Sequence, residues 1–303
     1  MKKHAVPHLG EQEKVNAYFQ SQSSFWKDLY ARDGVFPEII RDRQAAVLNW
    51  IDRLALAPGS RVLEVGCGAG FMAVALAQRG LRVHAIDPVE AMVELARRHA
   101  AEAGVAGPLS VAIGDVYTLA FEDGSFDLVI ALGVIPWLER AEQAIQEMAR
   151  VTRPGGYVIV TADNRVRLNH ILDPWLNPAL SRLKQSVKSA LVRLGLRRRL
   201  PNKINSTLHD RRFIDKTLAR FELAKADGMT LGFGPFSLFR RRVLPEPLGI
   251  ALHHWLQHLA DRHMPIFRST GAQYLVLARK QTFRPLAGSM SAEETLSDAV
   301  KVV

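Results

Sequence analysis

Positions 62–70, V-L-E-V-G-C-G-A-G, set one carboxylate, Glu64, inside a glycine-rich turn that follows a short apolar run. Gly66, Gly68 and Gly70 let backbone N–H groups approach a ligand, as a strand, turn and helix do when they hold a nucleotide. A dinucleotide would need a third glycine where this chain has Phe71, and its pyrophosphate would meet Glu64 at close range. The turn suits a nucleoside that carries a cation and no phosphate. S-adenosyl-L-methionine, with an ammonium close to its sulfonium, has that chemistry. Asp87 ends the next apolar run, where a carboxylate can accept both ribose hydroxyls or can instead cap the following helix. Asp115 and Val116 end a third run and can offer a carboxylate and a backbone N–H to an adenine edge, with Met92 and Val116 sandwiching the base.

These residues need a frame that brings loop ends together. R-V-L-E-V, the run ending at Asp87, L-S-V-A-I at 109–113, and the apolar runs within 121–133 and 150–160 read as buried strands. Helical segments separate several of them, and Pro154-Gly155-Gly156 reads as a turn before the fifth. Strands that alternate with helices predict a parallel sheet.

In order and spacing, E-V-G-C-G-A-G, I-D-P, G-D-V, D-G-S-F-D-L-V and R-V-T-R-P-G-G resemble the class I S-adenosylmethionine-dependent methyltransferases, in the broad group that includes the ubiquinone and menaquinone enzymes. The resemblance implies an α/β, Rossmann-like, doubly wound seven-stranded sheet, parallel with an antiparallel final hairpin. It also implies that Glu64, Gly66, Gly68 and Gly70 surround the methionine moiety, that Asp87 takes the ribose, and that Asp115 and Val116 take the adenine. Leu132 or Gly133 would add a backbone contact at the tip of strand four. Residues 16–30 resemble the helix and loop that close over the cofactor in quinone and magnesium-porphyrin methyltransferases, although their aromatic residues suit helix packing equally well.

The expected organisation has five parts: N-terminal helices at 1–57, a cofactor-binding core at 58–164, a basic helical insertion at 165–220, a final hairpin with its own helical insertion at 221–280, and a polar tail at 281–303. Insertions beyond the carboxyl ends of parallel strands are where such a fold recognises its substrate. With 48% apolar and 23% charged residues, the composition suits one globular unit with inserts. A single cysteine, Cys67, excludes an internal disulfide. No apolar run is long enough for a membrane span and no secretory leader is visible, so a cytoplasmic protein is expected.

Charge is uneven. Residues 1–164 carry 16 Lys and Arg against 20 Asp and Glu, whereas residues 165–225 carry 15 against 4. Within that basic stretch Leu180, Leu183, Val187, Leu191 and Leu194 share one helical face. Such a helix can pack as a lid, dock on an anionic membrane surface or lipid, or meet nucleic acid, and no specific nucleic-acid motif supports the last.

The strand-four tip reads L-G-V-I-P-W, without the Asn/Asp-Pro-Pro-aromatic run of enzymes that methylate base amines. That leaves oxygen, carbon or aliphatic nitrogen of a small or lipid-like acceptor, with a hydroxyl preferred. Methyl transfer is an in-line displacement in which alignment supplies much of the rate, and a base need remove only one proton. His209 and His170 lead the base candidates, followed by His253, His254, Asp163 and Tyr18, and the segment at 232–239 offers an apolar wall. No metal site is expected. Rival readings are a cofactor-binding partner protein without catalysis, a C- or N-methyltransferase, and a nucleotide-dependent oxidoreductase.

Overall fold

A computed structural model of the chain describes residues 10–193, 206–239 and 241–282. Two helices, α1 (Glu11–Ser21) and α2 (Ser23–Asp28), lead into the long α3 (Val35–Leu54). The alternating core follows as β1 (Arg61–Val65), α4 (Phe71–Ala77), β2 (Arg82–Asp87), α5 (Glu90–Glu102), β3 (Leu109–Ile113), β4 (Phe126–Ala131), α6 (Ala141–Val151) and β5 (Thr152–Asn164). The first insertion holds α7 (Leu168–Leu172) and α8 (Ser181–Arg193), and leads to β6 (Leu208–His209) and α9 (Arg211–Arg220). The chain returns through β7 (Leu223–Leu231), a small hairpin of β8 (Ser237–Leu238) and β9 (Arg241–Arg242), α10 (Glu246–Asp261), α11 (Phe267–Thr270) and β10 (Gln273–Lys280).

The main sheet runs β3-β2-β1-β4-β5-β10-β7. Its first five strands are parallel, and β10 lies antiparallel between β5 and β7. An eighth strand, β6, extends the expected seven by pairing parallel with β5 at Asp163 and Asn164. The Pro-Gly-Gly segment differs from expectation: it is a bulge within β5, because Phe126 pairs with Thr152 but Leu128 pairs with Tyr157.

Parallel strands covered on both faces are largely apolar, as central β1 and β4 are, whereas the edge strand β3 is mostly exposed. Successive residues point to opposite sides. Leu63, Val129, Val158 and Val160 meet α6 and α9 through Ile145, Met148, Ile214 and Leu218. Val62, Leu128, Ile130 and Ile159 meet α3, α4 and α5 through Val47, Trp50, Leu76 and Ala96. Each fully buried leucine or isoleucine contributes roughly 1.5–3 kcal/mol relative to exposure, so the two layers hold the strand ends in place. The polar residues at those ends are thereby fixed on one rim.

On α8 the leucine face turns to solvent, with Leu183 exposed at 63% and Val187 at 52%. The side chain of Leu191, and Leu194 itself, lie outside the described residues, as do residues 283–303 of the expected tail. Among the described residues no helix is long and apolar enough to cross a membrane.

Candidate active site

β1 delivers Glu64 to the rim, and the turn after it is built by hydrogen bonds. Cys67 N–H donates to Ile86 O at 3.0 Å, and Gly70 N–H donates to Cys67 O at 2.9 Å. Gly66 has φ +65°, and a Cβ there would lie 2.5 Å from Val134 Cγ2, so the position admits no side chain without displacement. Gly68 has φ +52° and nothing within 4 Å of a built Cβ. It borders open space where a ligand can approach the backbone.

Gly68 N–H donates to Asp87 Oδ2 and Val89 N–H donates to Asp87 Oδ1, both at 2.9 Å. Asp87 is thus tied to the turn and to the start of α5, yet a carboxylate has lone pairs left for two hydroxyls. Burial pushes its carboxyl up to about 6. Glu64 is pushed further, to about 8, first by burial and then by the neighbouring Asp87. Its Oε2 is buried without a partner among the described residues. An orphaned carboxylate oxygen at a cleft calls for a cation or a donor.

Arg43 of α3 supplies the opposite charge. Its guanidinium is buried, which lowers its pKa, and it lies against Gly133, with Nη1 3.0 Å from a Cβ built there. Nη1 donates to Gln273 Oε1 at 3.3 Å, and Gln273 Nε2 reaches Asp163 Oδ1 at 3.5 Å. Asp163 Oδ2 accepts from Ser206 Oγ at 2.7 Å. Arg43 escaped sequence reading because nothing in α3 marks one arginine among several. Only the packing of α3 against β1 and β4 directs it to the strand-four tip.

Glu64, Asp87, Arg43, Asp163, Gln273 and Arg167 line one cavity of about 300 Å³, together with Gly66, Gly68, Met92, Leu132 and Gly133. Phe19, Trp26, Leu29, Tyr30, Phe36, Ile40 and Phe71 form its apolar wall. The N-terminal segment therefore covers the cavity as well as packing on itself. Phe19 contacts Trp137 edge-on at 5.2 Å, and Tyr30 lies 4.2 Å from Phe71. Gly70 does not line this cavity; its φ of +82° and the close approach of Ala96 give it a packing role between α4 and α5.

A second pocket of about 200 Å³ shares Gln12, Asn16, Gly66, Pro88, Val134 and Leu138 with the first, and it is completed by Ile113, Asp115, Val116 and Tyr117. Asp115 Oδ1 accepts from Tyr117 N–H at 2.9 Å, which shapes the loop. Met92 packs with Ala69 and Val89 and lines the larger cavity, and Val116 lines the smaller one. Pro88, Ile113, Val134 and Leu138 give this smaller pocket its apolar surface.

The leading base candidates lie elsewhere. His209 stacks on Phe213 at 5.3 Å and does not line either pocket. His170 accepts from Arg167 Nε through Nε2 at 2.7 Å, and burial and Arg167 push it down to about 4, so it is a neutral prop outside the cavity lining. His253 Nδ1 accepts from Phe233 N–H, so its Nε2 carries the proton and donates to Asp42 at 2.8 Å. The ligand atoms of Asp42, His253 and His254 converge within 4.8 Å. A metal there would have to take that Nε2 while Nδ1 still accepts, which demands an imidazolate; the group reads as a tie between α3 and α10. Tyr18 stacks near Trp137 away from the lining, leaving Asp163 as the base candidate that reaches the cavity. Residues 232–239 do not wall the cavity either: Phe233 packs with Leu256 and Ala260.

Residues 63–160 match a family model described as a methyltransferase domain. Over this segment the chain is similar to methyltransferase domains. Its matched span runs from β1 into β5 and contains Glu64, the glycine turn and Asp87. Ubiquinone biosynthesis O-methyltransferases are similar to the chain around this domain. That of Pseudomonas aeruginosa is 34% identical over 150 residues, 49% of this chain and 62% of the relative. That of Paracidovorax citrulli is 35% identical over 150 residues, 49% of this chain and 61% of the relative. The chain thus spans about three-fifths of the length of the curated relatives it matches. Among solved structures, magnesium protoporphyrin IX methyltransferase from Synechocystis superposes with a TM-score of 0.60 at 19% identity, covering 90% of this chain and all of that one. A cyclase superposes with a TM-score of 0.56 at 17% identity, covering 90% and 97%. At such identities the chain shares their fold, and its chemistry rests on its own residues.

Proposed function

We propose that the protein is an S-adenosyl-L-methionine-dependent methyltransferase that methylates an oxygen of a small or lipid-like acceptor. The observation that carries this reading is the charge arrangement of one cavity: an unpartnered buried carboxylate oxygen on Glu64, a buried guanidinium on Arg43, and Asp87 next to Pro88, which lines both pockets. The cofactor offers an ammonium, a carboxylate and a ribose diol, and these groups match the three residues in turn. Bound there, it supplies an activated methyl on a sulfonium.

Glu64 accepts from the ammonium, Arg43 donates to the carboxylate, and Asp87 takes the ribose hydroxyls. Asp115 and the Val116 backbone hold the adenine in the smaller pocket. Trp26, Leu29, Phe36 and Ile40 exclude water from the remaining cavity and favour an apolar acceptor body. Asp163, held by Ser206 and Gln273, accepts the proton that the acceptor hydroxyl must lose. Alignment of the acceptor supplies the larger part of the rate. The test is calorimetry with S-adenosylmethionine and with NAD. Binding of the first and not the second is expected, and the reverse would overturn the reading. Cofactor binding without turnover on any hydroxylated acceptor would favour a non-catalytic partner protein.

Exposed Leu183 and Val187, interspersed with Arg182 and Lys184 on α8, support peripheral docking on an anionic membrane. Exposed Ile171, Leu172, Trp175 and Phe239 lie around Asp173, which accepts from the Phe239 and Trp175 N–H groups, so the apolar surface continues from α7 to the β8–β9 hairpin. Each cation near such a surface adds about 1 kcal/mol. Sedimentation with phosphatidylglycerol vesicles at low salt should carry the protein down. Recovery in the supernatant would refute docking, as would pelleting that survives Leu183→Glu with Val187→Glu.

A further inference from the structure

We infer that Arg167 is an acceptor-recognition residue, and that the acceptor carries a carboxylate which Arg167 binds beside the site of methyl transfer. The inference rests on the proposed methyltransferase reading and names the substrate class of the same cavity.

The cavity has two guanidinium groups, and their surroundings differ. Arg43 is engaged by Gln273, sits against Gly133, and meets the cofactor end. Arg167 lines the same cavity, just beyond the carboxyl end of β5 and at the start of α7. Its Nε donates to His170 Nε2 at 2.7 Å, while His170 N–H donates to Arg167 O at 2.9 Å. The residue is clamped at both its backbone and the root of its guanidinium. Its two Nη groups make no hydrogen bond or ion pair within 4.0 Å among the described residues.

Asp163 accepts from Ser206 Oγ and Gln273 Nε2 and forms no ion pair with Arg167. Burial lowers the Arg167 pKa, and the nearby Asp163 carboxylate offsets only part of that. A partly buried guanidinium held by a neutral histidine, with its fork free in a cavity that apolar Phe36 and Ile40 also line, is suited to a planar bidentate anion. An aromatic or alkyl carboxylate fits that fork and that lining together. His170 is then a positioning residue. Its neutral form is what lets Nε2 accept from Arg167.

The experiment measures binding to the protein saturated with S-adenosylhomocysteine, using matched pairs of probes: hydroxylated benzoates and cinnamates against their carboxamides. Wild type is expected to prefer the carboxylate of at least one pair by roughly tenfold to a hundredfold, the range for a hydrogen-bonded charge pair. Arg167→Met should erase the preference and leave S-adenosylhomocysteine affinity within about twofold, while Arg167→Lys should keep part of it. His170→Gln should reduce the preference without removing it. No preference in any pair overturns the inference, and so does a preference unchanged in Arg167→Met. Loss of S-adenosylhomocysteine affinity in Arg167→Met would assign the residue to the cofactor instead and overturn it equally. Failure of wild type to bind S-adenosylhomocysteine at all would refute the underlying methyltransferase reading, a result distinguishable from the others.

Discussion

Replacing Glu64 by Gln tests the charge logic of the cavity most directly, because the structure sets the expected proton count. Burial and Asp87 push the Glu64 carboxyl from 4.5 to about 8, so at pH 7 roughly nine-tenths of the free protein carries the proton there. An ammonium placed against Oε2 favours the carboxylate and expels that proton. Ionising Glu64 at pH 7 costs about 1.4 kcal/mol, which the new pair must exceed. Asp87, raised to about 6, is already ionised at pH 7 and adds only about a tenth of a proton. Binding S-adenosylmethionine should therefore release about one proton at pH 7, and affinity should rise about ninefold between pH 6 and pH 7 through Glu64, with Asp87 adding nearly twofold more. Burial holds the Tyr30 hydroxyl and the Cys67 thiol above their usual values, so neither contributes in this window. Calorimetry in two buffers of different ionisation enthalpy reads the proton count. In Glu64→Gln the count should fall to about a tenth. Proton uptake by wild type, zero linkage, or a full proton released by Glu64→Gln would each refute the reasoning.

The same shift predicts the pH dependence of the ligand-free fold. Between about pH 4.5 and 8 the folded state binds more protons at Glu64 than the unfolded chain, so stability should fall as pH rises, by up to about 1.4 kcal/mol per pH unit. Urea unfolding from pH 5.5 to 7.5 checks this, and Glu64→Gln should flatten the slope. Asp87→Ala removes the acceptor of Gly68 and Val89 N–H as well as the ribose contact, and should weaken cofactor binding at least tenfold; unchanged affinity would count against the ribose role. Arg43→Met should abolish discrimination between S-adenosylmethionine and its decarboxylated analogue, measured as a ratio of dissociation constants. Gly66→Ala drives a Cβ to 2.5 Å from Val134 Cγ2 at φ +65° and should cost about 1–3 kcal/mol in denaturant unfolding.

Local chemistry in the chain determined the donor half of this protein. Apolar runs mark β1 to β5, glycines with positive φ mark the turn, and Glu64 and Asp87 stand at strand ends because each such position faces the rim. Those signals are short-range: a period of two, a turn residue, a carboxylate next to it. The acceptor half was decided only by packing. Asp163, Arg167 and Gln273 there, like Arg43 and Tyr30 nearer the cofactor end, come from segments far apart in the chain, and beyond Asp163's place among the base candidates no local pattern singles them out. The histidines that drew notice in the sequence were placed by the same packing as props and ties, His170 behind Arg167 and His253 between Asp42 and the Phe233 backbone. The bulge in β5 and the added strand β6 likewise follow from pairing across the sheet, which a single strand's sequence does not encode. Sequence could thus name the group that enters the glycine turn, because that turn makes its own geometry. The opposite wall exists only once α3, β5, α7 and β10 have met.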